Sequence, residues 1–519
     1  FREDEKMANI SKFELLPTEI RLEIFKNLNH GSLFSCLLVE RRLCHEIVPI
    51  LWENPFRNDK RKQIDFFNQS IKVVDIYVRS FSQETWKLLN ANGINRPSIT
   101  LSSTFNYASF LRCYDAERVS RAADEWLNLS DPVIRTQEEK TKSRILKKSL
   151  CQLFETEMTS IKSLNCVLEM DDGIKFLKKL TLKTLSELKI TKIRREQNLQ
   201  NLFEYLTEVT HLIRGISIGF IDDDWNDDLS TPETSAVTEE LTNTAQGIND
   251  LIEVQSKLAW LKLCSLPKVV CETINFSNSL QAIFFCNIDF NRYESRNLIH
   301  RISSCENLRG LEFYRCRKLE QQSLIEAAQF LKRLEYLSIC LRCNEEFPRK
   351  FIIQVIQASG HNFQYLNLYP QYYTPVDIQM AKNLVRTIIS NSPNIRGVNL
   401  PTFDASIFIP LLKSSKWLEH LGCGSKSLIE AFGILNERLP PTLYSLLVDT
   451  SRLGFSDEVL HQFLASNHRR LKHLIARGIY DSHVKLAKQY AVKLNNLSTL
   501  NFSEYAIYEG IYPNYFNKW

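Results

Sequence analysis

A six-residue pattern, apolar-x-x-apolar-x-apolar, recurs ten times in the second half of this chain, beginning at Leu258, Leu280, Leu308, Leu334, Phe363, Ile395, Leu418, Leu443, Leu471 and Leu497. The copies succeed one another at intervals of 22 to 32 residues, and three weaker copies begin upstream at Ile161, Leu185 and Ile213. Each copy is long enough for one short strand, and its fourth and sixth positions fall on one face of that strand. A strand joined to a single helix cannot cover its own apolar face. Neighbouring units must therefore stack, with the strands paired in parallel and the helices outside. The expected helix is visible between Leu319 and Leu331, where Leu324, Ala327, Ala328 and Leu331 share a stripe. A second lies beyond Ser456, through Leu460, Phe463 and Leu464. At 519 residues the chain exceeds what one compact core serves, and an α/β repeat array accommodates the excess.

A period of about 26 residues resembles the leucine-rich repeat, and the third copy runs on through Cys316 to Leu319 in the manner of the cysteine-containing subtype. That resemblance implies a curved solenoid over residues 151–519, with an inner parallel sheet and outer helices, in which Cys316 is a core residue. The third and fifth positions of each motif then face solvent on the concave side. Aromatic anchors there make Trp260, Phe284, Tyr336 and Tyr365 the candidates for binding a target protein. A second aromatic cluster, Tyr505 to Trp519, is a further candidate for target binding, the competing reading being a cap on the last repeat. The acidic, Ser- and Thr-rich stretch 222–250 is read as an exposed loop inserted between repeats. Its aspartates lack the central Gly and terminal Glu of a twelve-residue calcium loop.

Residues 13–56 have a different character, with more apolar side chains than so short a segment can bury within itself. Pro17 opens a helix in which Ile20, Ile24 and Leu28 form a stripe at steps of four, and Gly31-Ser32 separates it from a second helix carrying Leu33, Cys36 and Leu37. A third apolar run leads through Ile47 and Val48 to Leu51-Trp52. The ordered set Leu16-Pro17, Glu19-Ile20, Ile24-Phe25, Leu28, Leu37-Leu38-Val39, Arg41 and Pro49-Ile50-Leu51-Trp52 resembles the F-box, with Leu43 standing where many members carry tryptophan. The resemblance implies a three-helix module that docks on the Skp adaptor, and through it a cullin, with Leu16, Pro17, Ile20, Ile24, Leu28, Val39 and Leu51 facing the adaptor. Trp52 would anchor the module to the rest of the chain. Residues 1–12 are read as a leader. Residues 57–150 are read as a helical linker and the start of the solenoid, with helices near Gln83–Asn90 and Ala116–Leu127.

The remaining chemistry is sparse. A net charge of +5 over this length implies neither nucleic acid nor an anionic membrane as partner. There is no run of about eighteen apolar residues, and the thirteen scattered cysteines suit the reducing cytosol or nucleus. Cys340 and Cys343 form a lone CxxC with no second pair, so no metal site is expected. Gly422 to Ser427 lacks the spacing of a phosphate loop, and the ten histidines form no metal or nucleophile motif. No cofactor and no catalytic residue is expected. The function so implied is the substrate-recognition subunit of a Skp-cullin-F-box ubiquitin ligase, with the F-box on the adaptor and the repeats on an unknown target. The alternative is a non-ligase scaffold that binds the adaptor or another partner.

Overall fold

The structure, a computed structural model, describes residues 13, 15–56, 63–95, 104–129, 135–167, 176–194, 199–221, 235–290, 298, 301–302, 304–319, 322–341, 346–370, 377–400, 405–424, 440–449, 458, 461–462, 465, 473–477 and 499–501. It is α/β, with parallel strands and intervening helices, and the chain divides into two compact units, residues 1–191 and 192–519.

The first unit begins with three helices, α1 (Thr18–Lys26), α2 (His30–Leu37) and α3 (Arg41–Trp52). Pro17 occupies the cap position of α1, where its missing N–H is no loss. The expected break at Gly31-Ser32 lies two residues earlier. Asn29 caps α2 by accepting a hydrogen bond from the Ser32 N–H at 2.9 Å, and Gly31 and Ser32 fall inside its first turn. Next come helices α4 (Gln63–Arg79), α5 (Gln83–Ala91), α6 (Ala116–Trp126) and α7 (Gln137–Glu157), the last opened by a capping box between Thr136 and Glu139. Trp52 packs edge-on against Tyr77 of α4 at 5.5 Å between ring centroids, and against Tyr107 at 4.2 Å.

Strands β1 (Cys113–Asp115), β2 (Ser163–Val167) and β3 (Glu187–Ile193) pair in parallel. The rungs repeat. The Arg112 carbonyl accepts the N–H groups of Lys162 and Ser163, and the Lys162 carbonyl accepts those of Ser186 and Glu187. At the start of this series the carbonyl of Glu53, one residue past α3, accepts the N–H groups of Arg112 and Cys113. The end of α3 thus satisfies the donors that β1 would offer to a preceding strand.

The second unit carries β4 (Gly215–Phe220), β5 (Trp260–Cys264), β6 (Ala282–Cys286), β7 (Gly310–Cys316), β8 (Tyr336–Leu341), β9 (Tyr365–Pro370), β10 (Gly397–Leu400), β11 (His420–Gly424), β12 (Ser445–Asp449), β13 (His473–Arg477) and β14 (Thr499–Asn501). Each pairs in parallel with the next in sequence order. Every strand from β2 to β14 begins at the third position of a motif copy, and within each unit third positions pair with third positions. First, fourth and sixth positions are buried, from Ile161, Leu164 and Cys166 to Leu443 and Leu446. At the ends of β3, β5, β6 and β7 the eighth-position residues Lys192, Ser265, Asn287 and Arg315 all take positive φ, a turn device repeated with the period of the strands. Cys316 is fully buried, with its thiol 3.5 Å from the Phe285 carbonyl oxygen.

The loop expected at 222–250 is overturned in part. Residues 235–250 of the stretch read as an exposed loop belong to a helix (Ser235–Glu253) that buries Leu241, Ala245, Ile248 and Ile252 at steps of four, three and four. Glu239 and Thr242 are exposed on its other side, although Thr244 is buried with the apolar residues. The Asp222–Asp228 run lies outside the described residues, as do the leader and the aromatic tail.

Candidate functional site

The three-helix module has a small core of its own. Phe25, Leu33, Leu43 and Ile47 are buried in it, packed by Phe13, Leu28, Cys36, Leu37, Ile50 and Leu51. A buried ion pair fastens α1 to α3. The Arg21 guanidinium grips both carboxylate oxygens of Glu46, its Nε reaching Oε2 at 3.0 Å, and also donates to the Leu16 carbonyl and to the Thr18 hydroxyl. That hydrogen bonding holds the Glu46 carboxyl below the usual carboxylate range and pushes the Arg21 guanidinium up.

Outside that core the module leaves much apolar surface in water. Eleven large hydrophobic side chains are exposed among the described residues, and six of them lie between Leu15 and Val39: Leu15, Ile20, Ile24, Phe34, Leu38 and Val39. Leu38 and Val39 are 79% and 75% exposed. Scattered single apolar residues on a surface are ordinary, whereas such a concentration on one short segment is the mark of an interaction surface. Burying one such side chain fully is worth about 1.5–3 kcal/mol, and among the described residues only part of that is realised.

The expected adaptor-facing residues divide accordingly. Pro17, Ile20, Ile24 and Val39 are exposed and Leu16 is half-buried. Leu28 and Leu51 instead pack against the module core; Leu28 lies past the end of α1 and so leaves the helical stripe of Ile20 and Ile24. Leu15, Phe34 and Leu38 are the exposed residues that sequence reasoning missed. The signal was available in Phe34 and Leu38, four apart and off the Leu33-Leu37 stripe.

No protein-family model matches this chain, and no curated protein sequence matches it. Among the described residues, no helix is long and apolar enough to cross a membrane, and no group of three or more His, Cys, Asp or Glu side chains could hold a metal ion.

The strand face of the second unit is the other candidate surface, and it is uneven. Trp260 lies flat over Gly215, its register partner on β4; a Cβ added there would come within 1.9 Å of the indole. Trp260 is therefore half-buried, with its ring edge-on to Phe284 at 6.4 Å. Phe284 stands in register between Lys262, which is exposed, and Glu312, whose carboxyl is pushed up to about 7 by burial. Tyr336 and Tyr365 occupy the expected third positions but do not meet solvent, being 1% and 8% exposed. They pair directly across β8 and β9, where Tyr369 adds a third large ring to the same face, and at the ~4.8 Å strand spacing such rings shield one another. Tyr365 also reaches across Gly397 toward the His420 ring, 6.1 Å away. The fifth positions beside them form a polar ladder: Asn399 donates to Asn367 at 2.7 Å, and Asn367 donates to the Ser338 hydroxyl at 3.2 Å. Gly422 ends it, since a Cβ there would lie 2.2 Å from the Asn399 amide oxygen. Of the four aromatic candidates, Trp260 and Phe284 are thus the pair that offers surface.

Proposed function

We propose that α1–α3 are an F-box that docks on the Skp adaptor, and that the strand units form a leucine-rich-repeat solenoid that binds a target protein. The chain is then the substrate-recognition subunit of a Skp-cullin-F-box ubiquitin ligase. The observation that carries this reading is the concentration of exposed apolar side chains between Leu15 and Val39, on a module whose own core is already filled. A folded module with a complete core and a second apolar surface is suited to a partner that covers that surface. Pro17, Ile20, Ile24 and Val39 are the contacts the resemblance assigns, and Leu15, Phe34 and Leu38 join them by exposure. Target binding is assigned to Trp260 and Phe284, an aromatic pair flanked by Lys262 and Glu312. The chain's contribution is proximity: holding a target lysine near the charged conjugating enzyme raises the effective concentration of the reacting groups. Co-purification of the full chain with the Skp adaptor and cullin tests it. Wild type is expected to capture both and an Ile20→Asp, Ile24→Asp variant neither. Failure of folded wild type to retain the adaptor overturns the reading.

A further inference from the structure

Two thiols meet on the strand face. Cys264 on β5 and Cys286 on β6 are direct register partners in a parallel pair, so both side chains leave the same face of the sheet side by side. Both are half-buried, and the Cys286 thiol is hydrogen-bonded to that of Cys264. Adjacent strands lie about 4.8 Å apart, inside the 4.4–6.8 Å range of Cα separations that a disulfide spans without moving the backbone. The ammonium of Lys262, two residues before Cys264 on the same face, is close enough to interact with both sulfurs. The other cysteines on neighbouring repeats have a different setting: Cys271, Cys305, Cys316 and Cys340 are buried.

We propose that Cys264 and Cys286 form an oxidisable dithiol, a modification site at which a low-molecular-weight disulfide installs a covalent bridge between β5 and β6. The thiolate of one cysteine attacks the small disulfide, forms a mixed disulfide and expels one small thiolate. The second cysteine then attacks the mixed disulfide and expels the other. One protein S–S bond replaces the oxidant's S–S bond, the two cysteine protons end on the two small thiols, and the two electrons reduce the oxidant. The Cys286 thiol is pushed up by its hydrogen bond to Cys264 and by burial, while Lys262 pulls it down. The first attack therefore quickens as the solution becomes alkaline, since only the thiolate is nucleophilic. The bridge closes over the two strands that carry Trp260 and Phe284 and would fix their spacing.

The test uses the full chain, incubated with glutathione disulfide at mildly alkaline pH. Remaining thiols are then alkylated and the digest is mapped by mass spectrometry. The expected product is a peptide pair joined through Cys264 and Cys286, released by dithiothreitol. In Cys264→Ser, Cys286 should instead stop at the mixed disulfide and carry the mass of one glutathione. Recovery of Cys264 and Cys286 as separately alkylated residues from wild type overturns the proposal, as does a Cys286 bridge to any other cysteine. The wild-type map stands whether or not the serine variant folds.

Discussion

The three-helix module and the strand repeats solve the same problem in opposite ways. In the repeats, the apolar residue at each first, fourth and sixth position is covered by the neighbouring unit, and none described from Ile161 to Leu446 is left in water. In the module, four buried residues and their packing partners close the core, and six further large apolar side chains remain outside it. Repetition supplies each strand with a partner from its own chain. The module has no repeated neighbour, and among the described residues its surplus apolar surface stays exposed.

The largest expected effects lie inside the two cores. Phe25→Ala in the module and Phe285→Ala in the repeats should each lower unfolding free energy by about 3–5 kcal/mol, read from denaturant melts of the full chain. Phe34→Ala should stay within about 0.5 kcal/mol of wild type, since its ring is 62% exposed. A large loss for Phe34→Ala would mean that the exposed surface is part of the core after all.

Gly215→Ala probes the crowding of the strand face. The new methyl collides with the Trp260 indole, so a loss of about 1–3 kcal/mol and a red-shifted tryptophan emission are expected. Unchanged emission would contradict the placement of that ring.

Two smaller effects depend on pH and have opposite sign. The folded-state pKa of Glu46 is depressed, so its contribution is fully present above the usual glutamate value of about 4.3 and fades as pH falls through the lower folded value. Glu46→Gln should lower the melting temperature at neutral pH and flatten its acid limb. Glu312 is raised to about 7, so the unfolded chain ionises first and stability drains away as pH climbs from about 4.3 toward 7. Glu312→Gln should therefore raise the melting temperature by a few degrees at about pH 8 and change it little at about pH 4. Parallel melting curves at both pH values would contradict the desolvation of that half-buried carboxyl.

The strand array was legible because its signal is periodic. Thirteen motif copies gave thirteen strands, each starting at the third motif position. β1 escaped because its copy, Leu111-x-x-Tyr114-x-Ala116, hides the pattern behind a tyrosine and an alanine, although Leu111 and Tyr114 are buried like their counterparts. Helix Ser235–Glu253 escaped because a count of acidic and hydroxyl residues ignores the face on which Leu241, Ala245, Ile248 and Ile252 converge. The surface was harder to read than the fold. Strand alternation assigns Tyr336 and Tyr365 to the right face, but whether a ring on that face meets water depends on what stands one strand away. In the module, stripe positions alone could not separate Ile24, which is exposed, from Leu28, which closes the core.

Everything proposed for the module depends on the apolar surface between Leu15 and Val39 being a docking surface for the Skp adaptor. Calorimetric titration of purified adaptor into the full chain decides this, comparing wild type with Leu38→Ala, whose side chain is 79% exposed and outside the core. Wild type should bind saturably, and Leu38→Ala should bind at least about tenfold more weakly with the melting temperature unchanged. Equal affinity of the two proteins, or no binding by folded wild type, would contradict it.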